Sequence, residues 1–321
     1  MRIAVINDTS VTRHFGCTAV MQAILDEIRD RGHEVAFRWP VGQDWQPAAA
    51  KGLFDTVDLV LVNGEGTIHN SATRPRAAQL GRIGPYAANV LKKPAHLINA
   101  TIAALDSTTA DDLRHFSLIH VRETASRDYL AGLGLTAGVV PDLSLSHVAP
   151  EAGKRAAPLV TDSVIKPLSA ILQQAAQQVD GRYLLFKRRK TWREKLDLLG
   201  NAKKANFHDK VDERLAGELH QTLRDIAGAK VLLTGRFHAF CMAVLCRTPV
   251  IALESNTHKI GAMARDIFGT SDRVLQGDTA SPDLLAARIV MADYTAAEQD
   301  AIALYLNKAA QARHKMWSEI L

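Results

Sequence analysis

The sequence predicts an α/β protein of two doubly wound, parallel-sheet halves, and three observations carry that expectation. Short β-branched runs alternate with helical stretches along the chain, which is the grammar of β-α-β units. Several of those runs, such as 57–62 and 250–253, are apolar almost without alternation, as strands covered on both faces are. The 321 residues exceed the size at which a single core stops growing, and a stretch rich in turn formers at 148–158 divides them into near-equal parts. Residues 1–150 and 151–321 therefore read as two Rossmann-like domains.

In order, residues 2–6 form a strand, a polar loop follows, and Val20, Ile24 and Ile28 share one face of a helix that ends near Gly32. Strands follow at 33–39, 57–62 and 94–99, a helix at 109–116, a strand at 118–121, a helix at 124–133 and a strand at 138–140. The second series begins with strands at 159–160 and 183–186 around a helix at 166–179. It continues with strands at 231–233 and 250–253 around an apolar helix at 240–245. Ala297, Ile302, Tyr305, Ala309 and Trp317 mark one long closing helix over 295–321, with Thr295 and Glu298 as a capping box.

Composition narrows the class. At 47% hydrophobic and 23% charged residues the chain matches packed globular proteins and not disordered ones. No run is long and apolar enough to span a bilayer, and the opening residues lack the apolar core of a signal peptide, so a cytoplasmic location is expected. Cys17, Cys241 and Cys246 contain no C-x-x-C pair, so neither a disulfide framework nor a metal–thiolate site is expected. The 39 Lys and Arg against 34 Asp and Glu give a net charge of +5, much of it in the basic run at 187–195. That run reads as a solvated helix face, with contact to an anionic glycan or the inner membrane face left open. Nucleic acid is disfavoured, because Trp192 alone offers no stacking platform.

Candidate chemistry gathers at strand ends, where open α/β sheets bind ligands. Asn63, Gly64, Glu65, Gly66 and His69 follow the 57–62 run, with glycines that let backbone approach a ligand and a carboxylate and an imidazole suited to hydroxyl contacts. No G-x-G-x-x-G fingerprint is present, which disfavours a dinucleotide. Arg236 and His238 sit where the next helix begins, and Asn256, His258 and Lys259 follow the strand after it. Cations beside two helix N-termini suit a small polyanion such as a phosphate-bearing donor. Arg122 and Glu123, and then Pro141-Asp142, lie at two further junctions; Arg122 and Glu123 read equally as a cleft pair or a structural ion pair.

In order along the chain, Gly64-Glu65-Gly66-Thr67, Arg122-Glu123-Thr124-Ala125-Ser126, Pro141-Asp142, Arg236-Phe237-His238-Ala239 and Lys259 resemble the polysaccharide pyruvyl transferase family. The likeness runs over roughly residues 7–268. It implies a glycosyltransferase-B-like fold with two halves facing across a cleft. It also implies transfer of a carboxyethylidene group from phosphoenolpyruvate to two hydroxyls of a sugar or lipid-linked saccharide in surface-polysaccharide synthesis, with no metal or organic cofactor. On that reading His238 is the general acid and Glu65 the base or orienter. Arg236, Lys259, His258, Asn256 and Arg122 hold the donor, and Asn63, Gly64, Glu65, Gly66 and His69 the acceptor. Two departures bear on the pocket. Glu65 replaces the middle glycine of the family's triplet, and Ser255-Asn256-Thr257-His258 stands where many members carry Tyr-Asp-Pro. A nucleotide-sugar glycosyltransferase is the rival reading, since it would use the same helix starts.

Overall fold

The computed structural model describes residues 1–187 and 205–321; beyond Lys187, the basic run at 187–195 lies outside the described residues. The first sheet contains β1 (Arg2–Asp8), β2 (Glu34–Pro40), β3 (Leu59–Glu65), β4 (Ala95–Ala100), β5 (Leu118–Val121) and β6 (Gly138–Val139). Its order is β2-β1-β3-β4-β5-β6 with every pairing parallel. The second contains β7 (Leu159–Ser163), β8 (Arg182–Leu184), β9 (Leu232–Gly235), β10 (Val250–Leu253) and β11 (Val274–Leu275), in the order β11-β10-β9-β7-β8, again all parallel. Two doubly wound parallel-sheet halves with a closing C-terminal helix make the fold glycosyltransferase-B-like.

The first half carries α1 (Phe15–Asp30), α2 (Gln46–Ala50), α3 (Pro75–Gly81), α4 (Ile83–Pro85), α5 (Ser107–Leu113) and α6 (Thr124–Gly132). After it come α7 (Lys166–Gln178), α8 (Glu213–Ala227), α9 (Phe237–Leu245), α10 (Lys259–Phe268), α11 (Pro282–Val290) and α12 (Ala296–Ile320). Sequence periodicity did not single out α8. Its signal is Asp212, which accepts the amides of Arg214 and Leu215, ahead of buried Leu215, Leu219, Leu223 and Ile226. The expected strand at 183–186 stops at Leu184, and β3 runs on through Gly64 to Glu65. Among the described residues no helix is long and apolar enough to cross a membrane.

Apolar layers cover both faces of each sheet, as the unalternating strand runs require. One layer is shared between the halves: Phe15 and Ala19 of α1 pack with Phe186, Phe237 and Phe240. The last helix ties them again. Thr295 and Glu298 close the expected capping box, and Ile302 and Tyr305 enter the second half's core. Met316, Trp317 and Ile320 then cross back to pack with Ile3, Val5 and Ile24. Ala297, read as part of the buried stripe, is exposed.

Candidate active site

In a doubly wound sheet the binding crevice opens where successive crossovers run in opposite directions. Here those points lie between β1 and β3 in one half and between β7 and β9 in the other. At the first, Asn7, next to the end of β1, and Glu65, at the end of β3, have φ of 68° and 37°, and Asn99, one residue before the end of β4 next door, has φ 56°. Asparagine tolerates this left-handed region; for glutamate it costs on the order of 1–3 kcal/mol. Side-chain bonds hold the conformation. Thr9 Oγ1 donates to Glu65 Oε1 at 2.7 Å, Asn63 Nδ2 donates to the same oxygen at 3.3 Å, and the Cys17 thiol donates to Oε2 at 3.4 Å. Behind them Asn7 Nδ2 donates to the Asn63 carbonyl at 2.6 Å. Glu65 is thus a buried, aimed carboxylate at the residue where the resembling family carries glycine.

At the second switch point Arg236 follows β9 directly and pairs with Asp162 on β7. His238, on the first turn of α9, packs so closely on α1 that a Cβ on Gly16 would lie 2.0 Å from its own Cβ. Its Nε2 is 3.6 Å from Asp142 Oδ2, and the same oxygen accepts from Arg122 Nη1 at 2.9 Å. Burial favours protonation of Asp142, but His238 and Arg122 outweigh it and hold the carboxyl well below the usual carboxylate range. Arg122 also donates to Thr101 Oγ1 at 2.7 Å, lies 3.8 Å from Glu123, and stacks 4.1 Å over the Phe237 ring of the other half. It is both a structural pair member and a cleft residue.

Lys259 opens α10 and donates to Asn256 Oδ1 at 2.9 Å. A Cβ built on Gly66 would lie 3.7 Å from both Lys259 Nζ and Arg122 Nη2, so cations from opposite halves meet over the bare face of this glycine. Burial, and then the nearby Arg122, pull Lys259 down to about 7. A second link lies beside it: Asp266 of α10 accepts the Thr124 amide at the start of α6 at 2.9 Å.

The structure sorts the sequence candidates. Glu65, Gly66, Arg122, His238, Lys259 and Asn256 come together at the crevice. Gly64 lies inside β3, where its bare α-carbon makes room for Ala100; a Cβ there would sit 2.5 Å from that methyl. Asn63 is spent orienting Glu65. His69 is engaged by Arg74, and burial together with Arg74 lowers it to about 4. His258 precedes α10 with its Nε2 buried and without a hydrogen-bond partner, and burial lowers its pKa. The helix amides of Ile260 and Gly261 are taken by Glu254. Sequence reading singled out neither His14 nor Thr9 and gave Cys17 no site role; the polar loop after the first strand was their one signal. A cavity of about 490 Å³ lies elsewhere, between β5, β6 and α12, lined by His120, Lys315 and Glu319 among others.

The same architecture occurs in solved structures of low sequence identity, which show the fold alone. An uncharacterised Klebsiella pneumoniae protein aligns with TM-score 0.54 and 12% identity over 86% of this chain and 92% of its own. The UDP-GlcNAc 2-epimerase of Methanocaldococcus jannaschii, in complex with UDP-GlcNAc and UDP, aligns with TM-score 0.53 and 11% identity over 95% and 98%. HepE of Anabaena, in complex with UDP and glucose, gives 0.53 and 14% over 99% and 100%. No curated protein matches the chain. Residues 14–257, which contain Glu65, Gly66, Arg122, His238 and Asn256, match the family model described as polysaccharide pyruvyl transferase, and the chain belongs to that family.

Proposed function

We propose that the protein transfers a carboxyethylidene group from phosphoenolpyruvate to two hydroxyls of one sugar in a surface polysaccharide or its precursor, forming a ketal and releasing phosphate. The observation that carries this reading is the meeting of Lys259 and Arg122 over Gly66, beside the His238–Asp142 pair. A donor whose carboxylate and phosphate ester are carried by the same carbon suits two cations supplied from opposite walls. His238 is the acid: it protonates the methylene carbon, and the resulting oxocarbenium-like centre is attacked by the first hydroxyl. Glu65 accepts or orients that hydroxyl's proton. The carbon–oxygen bond to phosphate then breaks, the second hydroxyl closes the ring, and its proton leaves with the phosphate or the base. Cys17 contacts Glu65 at 3.4 Å and faces His238, so acid and base flank one small space. The donor site is proposed to lie in the cytoplasm, with the acceptor free or lipid-linked.

The test is a thermal-shift comparison of phosphoenolpyruvate with UDP-, GDP- and CMP-sugars, since a ligand that binds only the folded state raises the melting temperature. A rise with phosphoenolpyruvate alone supports the reading. A rise with a nucleotide sugar alone replaces it with a glycosyltransferase.

A further inference from the structure

We propose that the crevice also holds a zinc-type divalent metal site, built from His14 and Cys17 at the start of α1, His238 on α9 and Glu65 at the end of β3. A ring nitrogen of each histidine and the Cys17 sulfur lie within 4.8 Å of one another. Glu65 Oε2 is 3.4 Å from that sulfur. A tetrahedral ion with metal–sulfur and metal–oxygen bonds of about 2.3 and 2.0–2.2 Å places its sulfur and oxygen ligands roughly 3.5 Å apart, so this edge is already at coordination length. His14, Cys17 and His238 are the three groups that lie mutually this close, and Glu65 joins them through the Cys17 sulfur; coordination requires the two imidazoles and the carboxylate to draw in toward that sulfur.

Two further observations point to a ligand. His14 Nδ1 is buried without a hydrogen-bond partner, a state that buried polar atoms rarely keep, and His238, only 8% exposed, has just the Asp142 carboxylate, 3.6 Å away, facing its Nε2. Glu65 Oε1 is held by Thr9 and Asn63, which leaves Oε2 with the Cys17 thiol. Binding replaces the thiol proton by the metal and releases that proton to solvent, after which Oε2 is free to coordinate. Asp142 Oδ2, 3.6 Å from His238 Nε2, adds negative charge to balance the ion. Imidazole, thiolate and carboxylate together suit Zn²⁺ or Co²⁺ and not Mg²⁺ or Ca²⁺. Because α1 and α9 belong to different halves, the ion would pin the crevice shut. The ion would occupy His238 and Glu65, the acid and base of the proposed transfer, so the metal-bound chain is an inactive, closed form of the crevice, and metal binding is tested separately from the transfer reading.

The experiment is a Co²⁺ titration of the reduced, chelator-treated full chain. One Co²⁺ per chain, a thiolate-to-cobalt charge-transfer band in the near ultraviolet, and its loss on adding Zn²⁺ with a raised melting temperature are expected. Cys17→Ser abolishes the band. His14→Gln weakens Co²⁺ binding by at least the roughly 10–100-fold that loss of an outer-shell partner costs. His14→Gln carries the test if circular dichroism shows Cys17→Ser to be misfolded. Absence of stoichiometric binding, a band that survives Cys17→Ser, or unchanged affinity in folded His14→Gln overturns the proposal.

Discussion

The two switch points of this molecule are finished to different degrees. At the first, none of the side-chain polar atoms of Asn7, Thr9, Asn63 or Glu65 is left buried without a partner, with Asp8 Oδ2, facing Arg38 at 3.5 Å, the one exception at the end of β1, and the order is bought with left-handed backbone at Asn7 and Glu65. At the second, Arg236 Nε, His238 Nε2, Thr257 Oγ1 and His258 Nε2 are buried with no hydrogen-bond partner. A satisfied network aims a group without needing a ligand, whereas an unsatisfied one gains most when a ligand arrives. On the proposed function, the first half chiefly orients Glu65 while the second, together with Arg122 of the first, has most to gain from a bound donor.

The hardest blow to that division is His238→Ala, for which transfer is expected to fall below detection while circular dichroism and melting temperature hold. Unchanged turnover would remove the residue from the chemistry. Glu65→Gln sharpens the comparison: turnover should drop by roughly 10²–10⁴ while the dissociation constant for phosphoenolpyruvate stays nearly constant. Loss of donor affinity with normal acceptor saturation would invert the two sides.

Gly16→Ala tests the contact between the halves, because its methyl would collide with the His238 ring. Misplacing a catalytic group by about 1 Å costs up to ~10² in rate, so kcat should fall with little change in donor KM. A wild-type kcat would show that His238 tolerates displacement.

The smallest effect is the pH dependence of donor binding. Lys259, lowered to about 7 by burial and Arg122, is the charged form needed by an anion. Donor affinity is therefore expected to weaken by up to about tenfold per pH unit above that value, read by titration calorimetry, and to become flatter in Lys259→Arg. The stability sign runs the other way. The fold disfavours charged Lys259, so the unfolded chain binds more protons between about 7 and the ordinary lysine value of 10.5. This residue's destabilising contribution is full below about 7 and fades as pH climbs through that window.

Much of this was legible in the sequence because it rests on local rules. Unalternating runs at 57–62 and 250–253 announced strands buried on both faces, and Thr295 with Glu298 announced the last helix. What stayed hidden depends on how elements pack. Gly64 and Gly66 look alike in the sequence, yet Ala100 crowds the first and two cations face the second. The cysteine spacing gave no sign that His238 comes within 4.8 Å of Cys17, which happens because α9 docks against the start of α1. The Arg122–Asp142–His238 chain joins three junctions that the sequence could place only singly.

The return of α12 onto the first half sets the order in which the protein can be completed during synthesis. Ile3, Val5 and Ile24 are translated long before Met316, Trp317 and Ile320, which share their core layer. Until then the half that emerges first from the ribosome carries an uncovered apolar face. Nascent chains bury such surfaces domain by domain where they can and are prone to association where they cannot. Of the two halves, the one made earlier is sealed only after the other is encoded, so a stop shortly before Met316 would leave both sheets encoded and the earlier one still open to water.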